Sequence, residues 1–164
     1  MMTTQYILRY GLAGLLALTG IAKLLDVPGF VQVLSTYQAL PPWALRSVAL
    51  ACGLVELHLA EWLASGKRLP HAALASLVLH SAFTCWSALA LLRGIAIPNC
   101  GCFGVFWARP LSWLTVGEDL VLVLCSWALY RLGLRSLPPH RAGPVCIERR
   151  RACQRQARSI SHTL

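Results

Sequence analysis

Four stretches of this chain, residues 6–25, 44–64, 71–92 and 112–133, stay apolar for about twenty residues each. About twenty residues of helix cross the hydrocarbon core of a bilayer. Backbone N–H and C=O groups find no water there, so each stretch is expected to be a helix that satisfies its own hydrogen bonds. The 164 residues are 57% hydrophobic and 13% charged, against about 25% charged in a soluble domain. A soluble core this small cannot hide so much apolar surface, whereas lipid covers it. The expected fold class is all-α, an integral-membrane four-helix bundle. Pro28-Gly29, Pro41-Pro42, Ser65-Gly66, Pro70, Pro98 and Pro110 punctuate the spans, and no internal repeat is evident.

The net charge of +9 is unevenly placed. Residues 1–130 carry seven basic and five acidic side chains, while residues 131–164 carry eight arginines and one glutamate. The basic character therefore belongs to a tail, not to a nucleic-acid-binding fold. We divide the chain into a four-span domain over 1–135 and a basic, disordered tail over 136–164, drawn to anionic lipid headgroups. An even number of spans puts both termini on one side, with Arg9, Lys67, Arg68 and the tail. Lys23, Arg46, Arg93 and Arg109 fall on the other. The positive-inside rule then places both termini in the cytoplasm of a bacterial inner membrane. Arg9 before an apolar run resembles a signal peptide, but no small-x-small cleavage site follows, so the span is expected to be retained. Tyr37, Trp43, Trp107 and Trp113 are assigned to the outer aromatic belt, Tyr6, Tyr10, Trp62, Trp127 and Tyr130 to the inner one.

Between the third and fourth spans runs Asn99-Cys100-Gly101-Cys102-Phe103-Gly104. On this orientation the Cys-Gly-Cys loop is extracytoplasmic, where disulfides persist. A bridge between Cys100 and Cys102 closes a very small ring. Gly101, lacking a Cβ, relieves part of the restriction, and Gly104 shapes the loop. Strained, exposed disulfides tend to be the reducible, catalytic ones. Two soft thiolates also suit Cu(I) or zinc, but a closed zinc site needs about four ligands and the loop offers no histidine. No metal site is therefore assigned. Redox chemistry, metal carriage and a purely structural turn remain the three readings of the motif.

Ionisable groups inside a membrane are costly and suggest function. At about 1.5 Å per helical residue, Glu56 lies roughly 18 Å into the second span, and His80 lies near the middle of the third. Both are candidates for proton handling, since oxidising two thiols releases two protons and reducing a quinone consumes two. Lys23, near the outer end of its span, is expected to pair with Asp119 or Glu118 and fix helix packing. His58 and Glu61 read as interfacial. Cys52 and Cys85 lie at matching depths, about 10–12 Å below the outer ends of their spans. That permits a second redox pair, although small cysteines also pack helices.

The segment Thr19-Gly20-Ile21-Ala22-Lys23-Leu24, then Phe30, Tyr37 and Leu40-Pro41 in the following loop, Glu56, Cys100-Gly101-Cys102-Phe103-Gly104 and Asp119-Leu120 together resemble the MauE family of methylamine-utilisation membrane proteins. That family is similar in outline to DoxX-like four-helix proteins. The resemblance covers residues 5–135. It implies a membrane protein linked to disulfide formation or electron transfer outside the cytoplasm, supporting maturation of a disulfide-rich protein such as methylamine dehydrogenase. It also implies a periplasmic thioredoxin-like partner or disulfide-rich client, with membrane quinone as the candidate cofactor. Two other functions compete, a non-enzymatic assembly factor or scaffold and a small transporter or metal carrier.

Overall fold

The computed structural model describes residues 2–135. The basic tail, with Cys146 and Cys153, lies outside the described residues. Five helices follow in order: α1 (Met2–Leu25), α2 (Val27–Thr36), α3 (Pro42–Ser65), α4 (Leu69–Leu92) and α5 (Trp113–Arg135). Four of them, all but α2, are long and apolar enough to cross a membrane. They correspond to the four expected spans, with ends within two residues of those expected except that α1 begins four residues earlier.

The short α2 corrects the sequence reading, which treated the residues after the first span as a loop. Its start carries a local signal that was read only as punctuation. Asp26 is the N-cap, its Oδ1 accepting from the Gly29 N–H at 2.9 Å, and Pro28 stands in the first turn. An N-cap aspartate followed by a first-turn proline favours helix initiation. Phe30, Val33 and Tyr37, at helical spacing, then face inward and are buried.

In lipid, helices associate through close packing and polar contacts rather than through hydrophobic exclusion of water. The α1–α3 contact shows both. A Cβ on Gly20 would stand 3.0 Å from the Gly53 carbonyl oxygen, so the two backbones nearly touch. At the far end Arg9 donates to the carbonyls of Leu63 and Ala64, at 2.7 and 2.6 Å. Both carbonyls lie at the C-terminus of α3, where a cation is favoured by the helix dipole, and Leu63 O also accepts from the capping Gly66 N–H. The antiparallel register set by these contacts stops α1 about two turns short of the start of α3. The first turns of α3 therefore project about 10 Å beyond the end of α1, and α2 packs against α3.

Two apolar clusters result. One holds Leu12, Leu16, Leu63, Ala72 and Leu129 from the four long helices. The other holds Phe30, Val33, Tyr37, Ala49, Ile97 and Leu111, at the end that carries α2 and the 93–112 connection. Between them lies a layer of buried polar side chains, including Thr19, Lys23, Glu56, Ser76, His80, Asp119 and Ser126. Outside, Trp43, Trp107 and Trp113 are exposed at one end and Tyr6, Tyr10 and Trp127 at the other, the arrangement of two aromatic belts.

Candidate functional site

The connection between α4 and α5 folds back as a closed loop. Its stem is held by two backbone bonds, Leu111 N–H to Ile97 O at 3.0 Å and Cys100 N–H to Arg109 O at 2.8 Å. Asn99 braces the turn from inside: its amide donates to Gly104 O, and its Oδ1 accepts from Gly101 N–H, each at 3.0 Å. Gly101 has φ +80°, and a Cβ there would stand 2.9 Å from Val33. Only glycine takes that backbone region without strain while letting the loop lie on α2. Gly104 brings the loop equally close to α1, at the Ala22 carbonyl.

Both cysteine carbonyls are pinned by side chains from other elements. The Tyr37 hydroxyl donates to Cys100 O at 2.6 Å, and Lys23 Nζ donates to Cys102 O at 2.8 Å. Tyr37 is thus buried beneath the loop, 4% exposed, and not in the outer aromatic belt as expected. Its ring packs against Trp86, with centroids 6.2 Å apart. Burial, then the charge of the nearby thiols, pushes the Tyr37 phenol up and keeps it a donor.

Lys23 corrects a second expectation. It does not pair with Asp119 or Glu118. Its Nζ lies 2.9 Å from both Glu56 carboxylate oxygens, so Lys23 and Glu56 form a buried ion pair. The close Gly20–Gly53 crossing brings these residues level, and the loop closes over Lys23, which lies in the last turn of α1 as expected but is buried there. Glu118 instead meets Arg109 at 2.8 Å on the surface. Asp119 is 9% exposed, and its Oδ2 is buried without a hydrogen-bond partner.

The Cys100 and Cys102 sulfurs stand 3.3 Å apart. The two thiols share a hydrogen bond, and when Cys100 is the thiolate it accepts from Cys102, which holds Cys100 well below the ordinary thiol value, at about 6, despite the opposing effect of burial. The same bond, followed by burial and the Cys100 charge, pushes Cys102 up. The pair is therefore asymmetric: Cys100 is suited to attack as a thiolate and Cys102 to follow.

Beneath the loop is a cavity of about 320 Å³ whose wall includes both thiols, Lys23, Glu56, His80 and Asp119. Most of the remaining lining is apolar and aromatic, including Phe83 and Trp86. The structure thus gathers most residues singled out in the sequence into one space. Cys52 lies on that wall, whereas Cys85 is exposed and does not. His80 is held by Ser126 and Ser76, 3.0 and 3.3 Å from its Nδ1. Among the described residues no three His, Cys, Asp or Glu side chains come together as a metal-holding group. Tyr37 and Asn99 were missed as site residues. Their roles depend on contacts across the chain or on backbone turns that no spacing announces.

Four membrane-length helices, with a dithiol loop pinned over a mostly apolar cavity that carries a few ionisable groups in its wall, define a multi-pass membrane protein of the small bundle class. The family described as methylamine utilisation protein MauE matches residues 1–131, and the chain belongs to that family. It is 35% identical over 122 residues to methylamine utilization protein MauE of Paracoccus denitrificans, covering 74% of this chain and 66% of the relative. It is 33% identical over 115 residues to the protein of the same name from Methylorubrum extorquens, covering 70% and 62%. The matched region thus spans just under two thirds of these relatives. No solved structure matches the chain.

Proposed function

We propose that this protein exchanges disulfides through Cys100 and Cys102 at the extracytoplasmic face, with both termini in the cytoplasm. The observation that carries the reading is the 3.3 Å approach of two unequal thiols on a backbone fixed by Lys23, Tyr37 and Asn99. In one direction the Cys100 thiolate attacks a partner disulfide, forms a mixed disulfide and releases one partner thiolate. Cys102 then displaces the second, closing the Cys100–Cys102 bond and leaving the partner reduced by two electrons. In the reverse direction the loop disulfide oxidises a client dithiol. The partner class is a thioredoxin-like protein or a disulfide-rich client, in keeping with the methylamine-utilisation names of the relatives.

A membrane quinone is the acceptor class that suits the cavity, because the space is apolar, of ligand size and shared with both sulfurs. Quinone and loop dithiol would give quinol and loop disulfide, which balances two electrons and two protons.

Acid-quenched cells, treated with a maleimide mass tag, test the proposal. The pair should shift between oxidised and reduced forms when the growth medium is made reducing, and Cys102→Ser should accumulate a mixed disulfide. A pair that stays in one state with no trapped partner would leave the loop as a docking surface for assembly.

A further inference from the structure

We propose that Asp119 is the proton acceptor for Cys102 when the loop dithiol closes to its disulfide. The inference rests on the exchange reading above and assigns a base to its second step. Once Cys100 is held in a mixed disulfide, Cys102 must give up a proton before its sulfur can displace the partner thiolate. Cys102 is half-buried in the cavity wall, so a base within the cavity has the shortest route to that proton.

The charged and ring groups that face the cavity from the other helices have partners, at Nδ1 in the case of His80, and Cys52 on α3 is a thiol. Lys23 from α1 gives its hydrogen bonds to both oxygens of Glu56 on α3 and to Cys102 O. His80 on α4 is tied to Ser76 and Ser126, and the Tyr37 hydroxyl after α2 donates to Cys100 O. On α5 itself, Glu118 turns outward to Arg109. Asp119, its immediate neighbour, turns inward and leaves Oδ2 buried and unpartnered on the wall that carries both thiols. A buried carboxylate oxygen without a donor is costly in a folded protein unless something uses it. A proton arriving from Cys102 supplies that donor. The step balances: Cys102 loses H⁺ to Asp119, the Cys100–Cys102 bond forms, the bond from Cys100 to the partner sulfur breaks, and the partner thiolate leaves with the electron pair. Asp119 then returns the proton to that thiolate or to water.

The test uses the full-length protein in lipid nanodiscs, with the five other cysteines changed to alanine. The probe is a bis-nitrobenzoate disulfide, whose released aryl thiolate absorbs visible light. Cys100 releases one equivalent on attack, and Cys102 releases the second on closure. Asp119→Asn should not slow the first phase, since it removes a negative charge near Cys100, and should slow the second about tenfold or more at neutral pH. The slowed phase should recover as the pH rises and hydroxide takes over, and Asp119→Glu should restore part of the rate. A second phase with wild-type rate and pH profile in Asp119→Asn would overturn the proposal. Equal slowing of both phases with a lower melting temperature would also overturn it, showing a structural role. If the unsubstituted loop gives no second phase while Cys100 reacts, the exchange reading itself fails and takes this assignment with it.

Discussion

Lys23 and Glu56 meet across the α1–α3 crossing with Nζ 2.9 Å from each carboxylate oxygen, their side chains 5% and 2% exposed. The remaining ammonium donor reaches Cys102 O at 2.8 Å. One charged group therefore joins two helices and the dithiol loop. A buried ion pair adds little net stability over an apolar pair of the same shape, but losing one partner strands the other charge.

Replacing Lys23 with methionine is accordingly expected to cost about 3–5 kcal/mol, because Glu56 keeps its burial and loses its partner. The Lys23→Met, Glu56→Leu double variant should recover much of that loss. Denaturant titration in detergent, followed by tryptophan fluorescence, measures both. A single variant within about 1 kcal/mol of wild type would show that water or a proton compensates Glu56 freely.

The Cys100 thiol should titrate at about 6 in the folded protein, against about 8.5 for an ordinary cysteine. The sign follows from the donor. The Cys102 S–H stabilises the charged form of Cys100, so the thiolate predominates above that value and is lost as the pH falls through it. Iodoacetamide reaction at Cys100 should therefore level off near neutral pH. Cys102→Ala removes the donor and should move the midpoint upward. A profile for Cys102→Ala that overlies the wild type would refute the hydrogen bond as the cause.

Tyr37→Phe removes only the hydroxyl that holds Cys100 O at 2.6 Å. The expected loss is about 0.5–1.5 kcal/mol, the net worth of one hydrogen bond, with the buried ring left in place. Faster amide exchange at residues 99–104 should accompany it. Exchange confined to other segments would mean that the loop is held elsewhere.

Gly101→Ala faces two penalties, the positive φ and a Cβ 2.9 Å from Val33. A left-handed conformation alone costs an L-residue about 1–2 kcal/mol. The variant should lower the melting temperature and raise Cys102 reactivity as the loop lifts from α2. Adding Val33→Ala should relieve the contact part of the loss but not the backbone part. Full recovery in that double variant would argue against the backbone term.

Much of the architecture was legible because it depends on local properties. Apolar length predicted each of the four long helices, and composition placed them in lipid. The small α2 escaped because Pro28-Gly29 was read as a break, although Asp26 beside a first-turn proline is a helix start. Tyr37 was assigned to a membrane belt because a tyrosine after an apolar run usually belongs there. The folded chain instead turns it inward beneath the loop.

The sequence by itself determined that this chain crosses a membrane as helices, and that two thiols share a glycine hinge between the last two. It also supplied the residues that mark the MauE family. Tertiary structure alone decided which charges pair and which stay free. Lys23 meets Glu56 rather than Asp119 because Gly20 and Gly53 let α1 and α3 cross at one register. The dithiol loop then folds down over that crossing. Hydrophobic periodicity describes one helix at a time, whereas the partner of a buried charge depends on how two helices cross. For that reason Glu56 could be found in the sequence as a candidate proton carrier, and only the folded chain left the unpartnered carboxylate oxygen at Asp119.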